Sequence, residues 1–374
     1  MSNARIMELL RLGDAGRRAA ATLAALGLAL LTGALVFLAY GADPLAAYGA
    51  MAGSALGSWQ GLSEVVVKAI PLTLTGLAVA LPATMLLWNI GAEGQFVWGA
   101  IGASFAALFL PPYLPAPLIL PAAALCGALA GGLWALIPAA LRVRWNVSEI
   151  LTTLLLNYVA IIAMEWLYYG PWRDPMGMGF PGTPMFPDEA SLPRLAGTRI
   201  HYGMFLAVAA ALALRVMLDR TRWGYSVRVI GRGPAAAAYA GLNAGRHTLL
   251  VMALAGALAG LAGMGEVTGI HYGLREGINV GYGYDGIIVA CMAGFSPLAV
   301  PLFALLLGAF QVGGEGLSTA MQLPTAISQV LEAALLLGLL ASEAALRWRP
   351  TRRGAAVVPS VSDAQADKGG KEGQ

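Results

Sequence analysis

The chain has 374 residues, 58% of them apolar and only 11% charged, with a mean hydropathy of +0.70. Soluble domains carry about 25% charged residues, so this composition excludes an ordinary soluble enzyme. A net charge of +3, from 23 bases against 20 acids, also excludes the electrostatic footprint of a nucleic-acid binder.

A membrane-crossing helix needs roughly 20 mainly apolar residues. Ten candidates follow in chain order: Ala19–Tyr40, Val65–Leu87, Glu93–Leu110, Leu118–Leu141, Ser148–Tyr168, Tyr202–Leu218, Thr248–Val267, Asp285–Gly294, Leu298–Gly314 and Ala326–Leu346. The eighth is too short to cross alone and reads as a half-helix or part of a bent span. The first follows Arg17 and Arg18 but is longer than a signal-peptide core, so it reads as an uncleaved span. With the N-terminus cytoplasmic, 18 of the basic residues fall on the cytoplasmic side. Only Lys68, Arg173, Arg194, Arg199 and Arg275 fall outside. The expected architecture is therefore an all-α integral membrane protein with both termini cytoplasmic. Residues 1–18 form a cytoplasmic lead, 19–347 the transmembrane domain, and 348–374 a polar, disordered tail. The longest outer loop spans about 169–200 and the longest inner loop about 220–246.

Two segments echo one another. Asn89-Ile90-Gly91-Ala92-Glu93-Gly94 leads into one small-residue helix, and Asn279-Val280-Gly281 through Asp285-Gly286 leads into another. Five spans separate them, so they cross in opposite directions, the pattern of two inverted-repeat halves with interrupted helices near a substrate path. The second echo also spells G-x-G-x-x-G at Gly281, Gly283 and Gly286. Its flanks are membrane helices rather than a βαβ unit, which argues against a dinucleotide site. No P-loop is present, and His201, His247 and His271 stand isolated as interfacial or loop residues. Cys126 and Cys291 offer neither a disulfide framework nor a metal site.

Polar side chains are costly inside a bilayer and mark packing sites or water-filled paths. Asn89, Glu93 and Gln95 cluster at a Gly-Ala-Glu-Gly break flanked by Trp88 and Trp98. Asn157 and Tyr158 lie in the fifth span and Glu315 near the end of the ninth. Amides beside aromatic rings suit a neutral ring ligand, a nucleoside or a sugar; helix-packing hydrogen bonds beside an aromatic belt are the alternative. Glu149, Glu165, Glu266 and Glu315 sit near span ends and read equally well as hydrated. Gly127/Gly131, Gly256/Gly260 and Ala259/Gly263 predict close helix approach.

The basic inner loop contains Arg232-Gly233-Pro234-Ala235-Ala236-Ala237-Ala238-Tyr239-Ala240-Gly241-Leu242-Asn243. Pro at the first turn and an alanine run predict a short helix. Its small side chains suit docking to a cytoplasmic partner better than gripping lipid.

These stretches resemble the permease subunits of bacterial ABC importers for nucleosides and simple sugars, within the branched-chain amino acid/ribose permease family. The resemblance rests on Thr75–Ala80 running into Asn89–Gln95, on Asn146–Tyr158, on Trp223–Asn243 continuing through Ala255–Gly263, and on Gly281–Gly294. It covers roughly Ala19 to Arg347. The forms Asn-Ile-Gly-Ala-Glu-Gly-Gln and Leu-Leu-Asn-Tyr are closer to the nucleoside branch. The resemblance implies a second permease subunit, a cytoplasmic ABC ATPase that carries ATP and Mg²⁺, and an extracytoplasmic substrate-binding lipoprotein. It implies no cofactor in this chain, which is then a transport subunit and not an enzyme, placed in the cell inner membrane. Residues 234–243 then correspond to a coupling helix seated in the ATPase. The chain departs from the family at Arg144–Asn146, where a small-residue turn is expected, and at Pro82, which predicts a kink. A stand-alone ion-coupled transporter is the rival reading.

Overall fold

The computed structural model describes residues 23–347 apart from positions 25 and 325. The lead 1–18, the start of the first span and the tail 348–374 lie outside the described residues. Among those described, the chain is built from α-helices with no strand beyond two isolated bridges. Thirteen helices follow in order: α1 (Leu26–Ala39), α2 (Pro44–Leu56), α3 (Trp59–Ala83), α4 (Ala92–Phe109), α5 (Ala116–Trp145), α6 (Glu149–Tyr169), α7 (Gly203–Arg220), α8 (Arg222–Arg232), α9 (Pro234–Tyr239), α10 (Ala244–Glu266), α11 (Tyr282–Met292), α12 (Val300–Met321) and α13 (Ala326–Arg347).

Each of the ten expected apolar stretches coincides with a helix. Five helices are long and apolar enough to cross a bilayer unaided: α3, α5, α6, α10 with its π-helical extension Val267–His271, and α12. The α1–α2 pair, bent by 115°, brings the number to six if it is one span. Hydrophobic periodicity does not reveal α2, but its start is written in the chain. The Asp43 side chain caps it through Leu45 N–H at 3.1 Å, and Pro44 takes the first turn, where its missing N–H costs nothing.

Helix α3 runs through the middle, buried along most of its length against α10, α11 and α12. Pro82 lies in its last turn and helps end the helix at Ala83; the second interior proline is Pro71. Around α3, the small residues allow the expected close packing. A Cβ at Gly131 would meet the Gly256 carbonyl, one at Gly260 the Gly127 carbonyl, and one at Gly263 the Phe96 carbonyl. Helices α4, α5 and α10 thus meet backbone to backbone, with dispersion in place of a hydrophobic drive that lipid cannot supply. At Arg144–Asn146, Asn146 caps α5 in the left-handed region at φ 53°, a conformation Asn tolerates, so the tight turn forms without a glycine.

Candidate functional site

The two sequence echoes meet in space. Helix α11 has 11 residues, about 16 Å, which is half of a hydrocarbon core. Its first turn packs on the first turn of α4, beside residues 75–78 of α3. The Thr75 hydroxyl lies 2.9 Å from both the Pro71 and Tyr282 carbonyl oxygens, and the Asn89 amide donates to the Ala78 carbonyl at 3.1 Å.

Starting a helix inside the packed bundle strands backbone N–H groups that water cannot reach. The side chains singled out from sequence answer that need. Asn89 and Gln95 form a reciprocal amide pair at 2.9 and 2.8 Å across the break. From α6, the Asn157 side chain accepts from Gly94 N–H at 2.9 Å, and its amide donates to the Ile90 carbonyl at 2.9 Å and the Tyr284 hydroxyl at 3.1 Å. Glu93 Oε2 accepts from Gly283 N–H at 2.6 Å, joining the N-terminus of α4 to that of α11. A carboxylate between two converging helix N-termini offsets their like-signed dipoles. Its other oxygen, Oε1, is buried with no partner among the described residues. Gly283 lies so close to the Glu93 backbone that no side chain fits there, and Gly281 takes φ +95° in the approach.

Asn89, Glu93, Gln95 and Asn157 are thus brought together, and all are at most 1% exposed. They lock the broken backbone. Trp98 is stacked on Trp134 with centroids 4.8 Å apart, and both buried indole N–H groups lack a partner among the described residues. Trp98 also lines an apolar groove of about 480 Å³ with Phe105, Cys126, Leu133, Trp166 and Trp172. Trp88, edge-on to Phe295, and Tyr158 face outward at 40% and 59% exposure. Glu315 stands apart on α12, paired with Lys68 at 2.9 Å. Sequence reasoning missed Gly283, Tyr284 and Trp134 as parts of the junction. It also missed Asp285, which accepts from the Gln311 amide at 2.8 Å. The G-x-G-x-x-G run serves helix contact here, without a βαβ unit around it.

The structure decides between the readings left open for Glu266 and Glu149, which are only 3% and 8% exposed; α10 continues into the π turn beyond Glu266. His201 lies in the loop just ahead of α7, but it is buried. At 1% exposure its ring fills the space left by Gly203, Gly265 and Gly269, and its Nδ1 accepts from Gly203 N–H at 3.2 Å. Burial, helped by the nearby Arg194 guanidinium, pushes its pKa down to about 4. Arg194 itself donates to the Gly269 carbonyl at 2.9 Å and lies over the Tyr272 ring. The Leu192, Phe186 and Thr183 amides bond the Thr268, Tyr272 and Leu274 carbonyls, stapling the 170–202 loop onto the end of α10.

The predicted short helix is α9. Pro234 opens it, Ala237 is its buried contact, and Ala235, Ala236, Ala238, Tyr239 and Ala240 are exposed, Tyr239 at 98%. Gly241 turns the chain at φ +74°, and the Asn243 side chain caps α10 through Arg246 N–H at 2.9 Å. Thr221 caps α8 in the same way through Gly224 N–H at 3.0 Å.

Residues 61–340 match the family described as branched-chain amino acid transport system / permease component. The glucose ABC transporter permease protein TsgB13 of Haloferax volcanii is 39% identical over 355 residues, covering 91% of each chain. The guanosine ABC transporter permease protein NupP of Bacillus subtilis is 31% identical, covering 87% of this chain and 94% of its own. The nucleoside ABC transporter permease protein NupB of Lactococcus lactis is 30% identical, covering 86% and 90%. No solved structure matches. A family match across most of the helical core, with relatives similar over nearly their whole length, means that this chain belongs to the branched-chain amino acid transport system permease family.

Proposed function

We propose that this permease subunit moves nucleosides inward across the cell inner membrane by alternating access, driven by a separate ABC ATPase that binds the ATP and Mg²⁺. The reading includes ten membrane segments with both termini cytoplasmic, a second permease subunit, and an extracytoplasmic binding lipoprotein that delivers the ligand. The observation that carries it is α9, a short helix opened by Pro234 whose exposed side of Pro234, alanines and Tyr239 has no partner among the described residues of this chain. Such a stud on the arginine-rich side suits a socket in a cytoplasmic motor. ATP then biases two states of the bundle that differ in affinity for ligand. Nucleosides are favoured by the guanosine and nucleoside permeases among the relatives and by the indole and phenol rings near the broken helices. The 39% identical glucose permease favours a second reading, a simple-sugar importer.

The test is uptake by the reconstituted importer. The expected result is ATP-dependent accumulation of a labelled nucleoside, lost when the ATPase is omitted. Glucose uptake without nucleoside uptake would move the assignment to the sugar branch. Uptake by this chain alone would replace it with an ion-coupled transporter. Ala238→Asp on the exposed side of α9 is expected to release the ATPase while leaving membrane insertion intact, read by co-purification.

A further inference from the structure

Gly231, in the last turn of α8, has no room for a side chain. A Cβ there would strike the Thr84 carbonyl oxygen and lie 3.0 Å from Met85 Cα. The segment leading to α9 therefore rests, backbone on backbone, on the connection between α3 and α4. That connection is stiff. Met85 and Leu87 N–H bond the Pro82 carbonyl at 2.9 and 3.2 Å, Asn89 is pinned to Ala78 and Gln95, and Asn157 holds Ile90 and Gly94. It ends at Glu93, whose carboxylate grips Gly283 of α11. Helix α8 is in turn clamped to the end of α7. Arg228 bonds the Leu218 carbonyl and Asp219, and Gly224 packs on the Met217 and Leu218 carbonyls. Tightly packed, hydrogen-bonded elements transmit displacement instead of absorbing it.

We propose that Gly231 bears on Thr84–Met85, and that residues 84–95 act as a rigid lever carrying motion of the coupling segment to the Glu93–Gly283 junction. The N-terminus of α4 is then the part of the bundle that moves with the ATPase. Gly231 is a positioning residue, since it acts through the turn it touches. The inference rests on the permease reading above.

The test uses the whole importer with spin labels at Leu86 and Tyr225, 74% and 63% exposed, and a reference at Leu45, 81% exposed at the start of α2, which packs on α3 and α12. Distances are compared with and without ATP. The expected result is a constant 86–225 distance while 86–45 and 225–45 both change. A change in 86–225, or no change in 86–45, overturns the proposal. Independently, Gly231→Ala and Gly231→Leu are expected to keep the ATPase bound and lower maximal uptake at least tenfold, with the KM for nucleoside unmoved. Unaltered uptake by Gly231→Leu overturns it as well. Loss of ATP dependence in the parent importer would instead strike the permease reading itself, so the two failures are distinguishable.

Discussion

The two interrupted segments resemble each other in sequence yet play opposite parts. The first break, 89–94, is held by side chains. Asn89, Gln95 and Asn157 supply the hydrogen bonds that its turn lacks, and Glu93 projects an acceptor out of it. The second break, 279–286, is held by backbone. Gly281 supplies the left-handed turn, Gly283 the donor and the close approach, and Thr75 the bond to Tyr282. The acid of each echo points differently, Glu93 across to the other half-helix and Asp285 to Gln311 on α12. A repeated motif thus gave one acceptor end and one donor end, which is what two helix N-termini require in order to touch.

The comparison is broken most severely at the donor. Gly283→Val forces a branched side chain into the Glu93 backbone and is expected to cost at least about 3 kcal/mol, the upper end for overpacking. Folded yield and the melting temperature in detergent check this. Glu93→Ala is expected to separate the half-helices and abolish uptake while the ATPase still co-purifies.

Acid is expected to loosen the second break before the first. The folded pKa of His201 near 4 lies below its unfolded value of about 6.5, so the unfolded chain binds the proton first. The stabilisation is complete above about pH 6.5 and declines as pH falls toward 4, by up to about 3 kcal/mol. Because His201 packs on Gly269, hydrogen exchange at pH 5 is expected to rise in 267–283 more than in 89–95. His201→Gln is expected to flatten that dependence.

At the first break, Asn89→Ala and Gln95→Ala each leave a buried amide unpaired, with an expected loss of about 1–3 kcal/mol. The double variant is expected to lose less than the sum, because the reciprocal pair is one unit. The smallest effect is expected for Glu315→Gln. Its partly exposed pair with Lys68 is worth at most about 1 kcal/mol, so thermal stability is expected to stay within that margin.

Much of this was legible in the chain. Apolar runs marked every long helix, because the bilayer length is a physical ruler. Pro234 followed by alanines marked α9, and the acid-Gly pairs marked the half-helices. Helix α2 was overlooked although Asp43-Pro44 announces it. The burial of Glu266 stayed open because the π turn that extends its helix has no local signature, and that of His201 was hidden because two of the glycines around it, Gly265 and Gly269, are 64 and 68 positions away.

Local composition alone determined that the chain is helical and apolar, since both properties are set by neighbouring residues. Only the tertiary structure decided that Asn89, Glu93, Gln95 and Asn157 clamp a junction, that Gly283 is Glu93's partner, and that Gly231 rests on Thr84. Those contacts join residues 63 to 190 positions apart, except within the Asn89–Gln95 pair. A hydrogen bond across such distances depends on where helices pack, which no local pattern encodes.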